Sequence, residues 1–115
     1  NLHLEDEVIL AGFQSNPYPF IKNARMLVLS SEYEGLPTVL IESLALGTPV
    51  ISTNCKSGPS EILTDELSHY LSEVNNIQQL TLKINEVYNN PYDINKKFIS
   101  PFELHTVMKK YLDLI

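Results

Sequence analysis

Apolar and polar positions alternate along the chain in short blocks that switch between strand-like runs and helical spacing. Val8–Leu10, continuing toward Phe13, is a short apolar run closed by a polar turn, and predicts a strand. Pro17–Ala24 predicts a short helix. Met26–Leu29 is the continuous apolar run of a strand buried in a parallel sheet. Pro37–Leu46 predicts a helix with apolar side chains almost all round, closed at its C-terminal cap by Gly47. Pro49–Ser52 predicts the next strand, leading into a loop over Asn54–Pro59. Ser60–Leu63 predicts a helical turn, and His69–Leu71 a short strand.

Ile77, Leu80, Ile84, Val87 and Tyr88 fall at helical spacing, so Ile77–Asn89 predicts a longer helix capped by Asn75 or Asn76. Asn89-Asn90-Pro91 breaks it. Helices are expected again at Ile94–Phe98 and Phe102–Ile115. Strand–helix alternation with short connections predicts an α/β fold, a Rossmann-like parallel sheet with flanking helices. The strands near residues 8–12, 26–30 and 49–52 are expected parallel in one sheet. Ligands of such sheets bind at the carboxyl ends of the strands. The loops after Met26–Leu29 and Pro49–Ser52 therefore belong to one edge.

One charge disturbs this pattern. Between Leu36 and Thr53 the only charged side chain is Glu42, set among Val39, Leu40, Ile41, Leu44, Ala45 and Leu46. An ionised carboxylate is costly in such surroundings without polar partners. The helix start supplies a context for it. Gly35 allows a tight turn and close backbone approach, and Pro37 suits a first helical turn. The amides of Thr38, Val39 and Leu40 are then expected to lack intrahelical acceptors, leaving an anion site at the positive end of the helix dipole. Glu42, one turn on from Thr38, can accept hydrogen bonds from hydroxyls just beyond a phosphate held there. Glu34 lies in the turn on the other side. A diphosphate carrying a ribose at one end and a sugar at the other satisfies all three features. Against this stand an ordinary solvated loop acid for Glu34, and for Glu42 a buried acid satisfied by a neighbouring backbone group or tyrosine hydroxyl.

The run from Ser30 to Thr53, with Glu34-Gly35-Leu36-Pro37-Thr38-Val39-Leu40-Ile41-Glu42 at its centre, resembles the nucleotide-sugar site of retaining family 4 glycosyltransferases of the GT-B fold. The similarity extends to Ser57–Ile62 and back through Gly12–Gln14 and Asn16–Ala24, about the first two thirds of the chain. The resemblance implies that Glu34 contacts the donor sugar as the catalytic residue and Glu42 binds the ribose hydroxyls. Gly35, Leu36, Pro37, Thr38 and Val39 surround the diphosphate, with amides from Leu36, Thr38 and Val39. Ser57, Gly58 and Pro59 form a candidate donor loop, or a plain turn into the next helix.

It further implies a partial C-terminal nucleotide-sugar-binding domain over residues 1–115. The acceptor, a glycan or lipid-linked sugar, would be bound by an N-terminal domain outside this chain. The family's basic pair, which neutralises the departing diphosphate, has no match here; Lys22, Arg25 and Lys56 are the nearest cations. The chain starts at Asn1 without Met and is expected to be the end of a longer protein, inactive alone. The function so implied is transfer of a hexose from a UDP- or GDP-linked donor in bacterial surface polysaccharide synthesis. The alternatives are a non-catalytic nucleotide-sugar-binding or interaction module, and a GT-B sugar epimerase fragment.

Composition narrows the setting. The 115 residues are 43% hydrophobic, enough for one domain with a core, and the net charge of −6 with pI ≈ 4.9 disfavours nucleic acid and anionic lipid. Cys55, the only cysteine, excludes an internal disulfide and suggests a reducing cytoplasm. No apolar run approaches the roughly 20 residues of a membrane span. A cytoplasmic enzyme is expected, with peripheral association at the inner membrane face open to it. His3, His69 and His105 are scattered and form no metal-like pattern. No metal and no cofactor is expected beyond the nucleotide-sugar donor, which is a substrate.

Overall fold

A three-stranded parallel sheet organises the chain, in a computed structural model that describes residues 4–31, 37–55 and 58–94. The elements in order are α1 (Tyr18–Asn23), β1 (Leu27–Leu29), α2 (Thr38–Ala45), β2 (Val50–Thr53) and α3 (Pro59–Ile62). A 3-10 helix (Asp65–Tyr70), β3 (Leu71–Ser72) and α4 (Ile77–Asn89) follow. The strand order is β1-β2-β3. Leu27 pairs with Val50 and Leu29 with Ser52, while Ser52 also pairs with Leu71 and Thr53 with Ser72. β2 is central and buried at every position, as the apolar run required.

The core lies between this sheet and its helices. Leu40, Ile41 and Leu44 of α2 pack with Val50, Ile62, Leu63 and Leu67, and Leu27, Leu29, Leu71, Tyr92 and Ile94 close around them. α2 ends in a full Schellman turn. Gly47, at φ +84°, donates its amide to Leu44 O at 3.0 Å, and Thr48 donates to Ser43 O at 2.9 Å. At the other end of the fold, the Asn76 side chain accepts from the Gln79 amide at 2.9 Å and caps α4.

The sheet departs from expectation in one strand. Residues 8–13 form no strand: Glu7 and Val8 both donate to Leu4 O, and Gln14 Nε2 donates to Ala11 O, so this segment closes on local turns. Ile9, Leu10 and Phe13 stand 86%, 94% and 92% exposed, with no ladder beside them. An apolar run becomes a strand only where a neighbour completes its hydrogen bonds. The third strand is Leu71–Ser72. It starts two residues later than the sequence suggests, because His69 and Tyr70 still belong to the 3-10 helix. The helices expected at Ile94–Phe98 and Phe102–Ile115 lie outside the described residues, Ile94 apart.

Candidate functional site

Pro37 sits just outside α2, buried, with φ −81° and ψ 91°, and caps the helix instead of opening its first turn. Its extended ψ turns its carbonyl onto the Leu40 amide at 3.0 Å. Leu40 is thereby removed from the set of three amides expected to face a ligand. Thr38, exposed, and Val39, half-buried, begin the helix, which receives no side-chain cap. The loop leading to them leaves the carboxyl end of β1. Its first part is fixed to β2 by Thr53 Oγ1, which donates to Ser31 O at 2.5 Å. Glu34, Gly35 and Leu36, and likewise Ser57, lie outside the described residues.

Glu42 lies one turn into α2 and is half-buried between the fully enclosed Ile41 and Ser43. Its carboxylate accepts a hydrogen bond from the hydroxyl of Tyr18, the first residue of α1. Tyr18 is 6% exposed. Burial, then this hydrogen bond, then the Glu42 charge push the Tyr18 hydroxyl up to about 12. Among the described residues no ion pair involves Glu42. Tyr18 is thus one polar group within reach of Glu42. Tyr18 carries no motif in the sequence. Its signal was faint, a tyrosine between two prolines 24 positions from the acid.

The same two helices are tied a second time. Thr48 Oγ1, buried just beyond Gly47, donates to Ile21 O at 2.7 Å, and Ser43 Oγ donates to Thr48 O at 3.0 Å. α1 is thus fastened to α2 at Glu42 and at the turn that closes the helix.

Gly58 and Pro59 form the entry to α3. Gly58 is its cap at φ +133°, a conformation suited to glycine, and Pro59 is its first residue. Glu61 N donates to Gly58 O at 2.9 Å. Both residues are buried. Cys55, between β2 and this turn, is a free thiol only 2% exposed.

A second feature occupies the carboxyl edge of the sheet. Ser30, Thr53, Glu73, Asn75, Asn76 and Leu80 line a cleft of about 150 Å³ beyond the ends of all three strands. Glu42, Thr38 and Val39 do not belong to it. Of the cations, Arg25 is committed elsewhere: its Nε donates to Tyr88 O at 2.7 Å and its guanidinium lies 4.9 Å above the Tyr88 ring. Among the described residues no three His, Cys, Asp or Glu side chains gather as a metal site.

Parallel strands in the order β1-β2-β3 with flanking helices define a Rossmann-like α/β unit of the GT-B glycosyltransferase type. The chain belongs to the family described as Glycosyl transferases group 1, which matches residues 1–103. It is 52% identical over 67 residues to an uncharacterized glycosyltransferase of Methanocaldococcus jannaschii, covering 58% of this chain and 16% of that protein. It is 28% identical over 119 residues to the poly(ribitol-phosphate) alpha-N-acetylglucosaminyltransferase of Staphylococcus aureus, covering 97% of this chain and 24% of that one. The crystal structure of TarM superposes with a TM-score of 0.70 at 27% identity, covering 89% of this chain and 22% of the other. The chain thus spans a quarter or less of these relatives.

Proposed function

We propose that this chain is the donor-binding part of a retaining family 4 glycosyltransferase that transfers a hexose from a UDP- or GDP-linked sugar. The observation that carries the reading is Glu42. It is half-buried on the helix that follows the carboxyl end of β1, and its described partner is a neutral hydroxyl instead of a cation. A carboxylate has about four acceptor positions, and one tyrosine occupies one of them. Ribose hydroxyls suit the remainder. The amides of Thr38 and Val39 at the positive end of α2 would face the diphosphate, where charge builds as the sugar departs. Glu34 would contact the hexose, with Gly35, Leu36 and Pro37 shaping the turn between, and Ser57, Gly58 and Pro59 bordering the donor. No metal or cofactor is invoked.

The acceptor would be a glycan or lipid-linked glycan held by a separate N-terminal domain, with the intact enzyme working in the cytoplasm at the inner membrane face. Surface polysaccharide synthesis is supported by relatives such as the Staphylococcus aureus enzyme, named for poly(ribitol-phosphate). No helix among the described residues is long and apolar enough to cross a membrane.

Calorimetry of the full-length protein with UDP and GDP tests the reading. Glu42→Gln should weaken the binding of whichever diphosphate binds by about 1–3 kcal/mol, the range for a hydrogen bond to a charged group. An unchanged dissociation constant would refute the ribose role.

A further inference from the structure

We propose that the apolar run over residues 8–13 and the outer edge of β1 are two sides of one gap in the sheet. In the full-length protein, apolar extended segments of the same polypeptide, from outside residues 1–115, fill that gap as further parallel strands. The inference goes beyond the donor site and needs nothing from the roles given to Glu34 and Glu42.

Both surfaces lack a cover. Val8, Ile9, Leu10 and Phe13 all stand exposed. Single exposed apolar side chains are ordinary, but four within six positions make a patch that marks a contact. β1 is short of cover along its backbone. Leu27 N donates to Pro49 O at 2.8 Å, so Leu27 and Leu29 turn their backbone groups toward β2. Val28 between them turns its N–H and C=O the other way, where no strand lies among the described residues. Its side chain is 37% exposed, whereas Ile51, its partner in β2, is fully enclosed. An apolar strand of a parallel sheet is ordinarily covered, and a row of unpaired N–H and C=O groups is a template for another strand.

The run and β1 do not pair with each other, although only the short helix α1 separates them in sequence. The partner each lacks is therefore a third segment. The strand order agrees: β1, β2 and β3 follow one another in sequence and in space, as in one half of a doubly wound sheet, and the other half of such a sheet lies beyond the first of these strands. The same polypeptide is the source the lengths favour, since this chain spans a quarter or less of the relatives described above. A membrane surface suits the run poorly, because Glu5, Asp6 and Glu7 directly precede it and the chain carries a net charge of −6.

Hydrogen–deuterium exchange on the full-length protein tests this without a substitution. The amides of Val28, Ile9 and Leu10 should exchange on the order of a hundredfold more slowly than freely exposed amides, equally at low and high protein concentration. Fast exchange at Val28 or at Ile9 and Leu10 would overturn the proposal. Protection that fades on dilution would assign the cover to a second copy and overturn it too. Photo-leucine, close in shape to leucine, then identifies the neighbour when it stands in for Leu10 in the full-length protein. On irradiation it should cross-link to peptides from outside residues 1–115. Cross-links to residues 95–115, or to another molecule in isotope-mixed protein, would name a different occupant and refute the inference.

Discussion

The hydroxyl of Tyr92 completes the central strand at Val50. It accepts from the Val50 amide and donates to the Val50 carbonyl, both at 2.7 Å. Pro49 O, one residue earlier, faces β1 and accepts from Leu27 N at 2.8 Å, so Val50 faces the β3 side. β3 begins only opposite Ser52, which leaves that stretch of β2 without a strand neighbour. One phenol takes the neighbour's place, stacked 4.1 Å from the Tyr70 ring.

Tyr92→Phe should accordingly destabilise the fold although it preserves the ring. Val50 is 0% exposed, and an unsatisfied buried polar group costs about 1–3 kcal/mol. A lowered denaturant midpoint with an unchanged slope is expected. An unaltered midpoint would mean that water replaces the hydroxyl.

Gly47→Ala isolates backbone strain from steric clash. An added Cβ would meet nothing within 4 Å, yet φ is +84°. The expected loss is about 1–2 kcal/mol, the cost of a left-handed backbone in an L-residue. Gly47→Asn should lose less, since asparagine tolerates this conformation better. Equal losses for the two, by thermal or urea melting, would point away from strain.

Alkaline stability should carry the mark of Tyr18. Its ordinary value of 10.0 is pushed up to about 12, so the folded chain holds this proton more tightly than the unfolded one. The stabilisation is complete below about pH 10 and lost as pH rises through about 12. Tyr92 is shifted upward too, chiefly by burial, so the parent chain has more than one such contribution. Tyr18→Phe should therefore lose stability less steeply across this window in urea melts at stepped pH. Identical slopes would exclude Tyr18 from the effect.

Glu34→Ala in the full-length protein should separate the roles of the two acids. A free diphosphate carries no hexose, so its affinity should stay nearly intact while turnover falls sharply, with kcat and kcat/KM declining together. A transfer assay beside calorimetry reads both. Equal loss of diphosphate affinity in Glu34→Ala and Glu42→Ala would end the proposed division.

Elements with strong local patterning were legible from residues alone. β1, α2, β2 and α4 appear within a residue or two of their expected limits, and Asn76 caps α4. What failed depended on neighbours. Val8–Phe13 has a strand's composition but lacks a ladder, and two-residue β3 is too short to show any period. Pro37 was legible as a helix start, whereas its extended ψ, which takes Leu40 N out of the candidate anion site, has no mark in the sequence. Glu42 announced its need for a polar partner. Which group met that need was decided by the packing of α1 on α2, and no spacing encodes a contact 24 residues away.

Cys55 turns the fold into its own clock. It is the chain's single thiol and lies 2% exposed just past β2, beside the turn into α3. An alkylating reagent can reach the sulfur only when that stretch opens, so its labelling rate reports how often the sheet's carboxyl edge comes apart. Labelling slowed by UDP or GDP would show the ligand closing that edge, on the native chain and without a substitution.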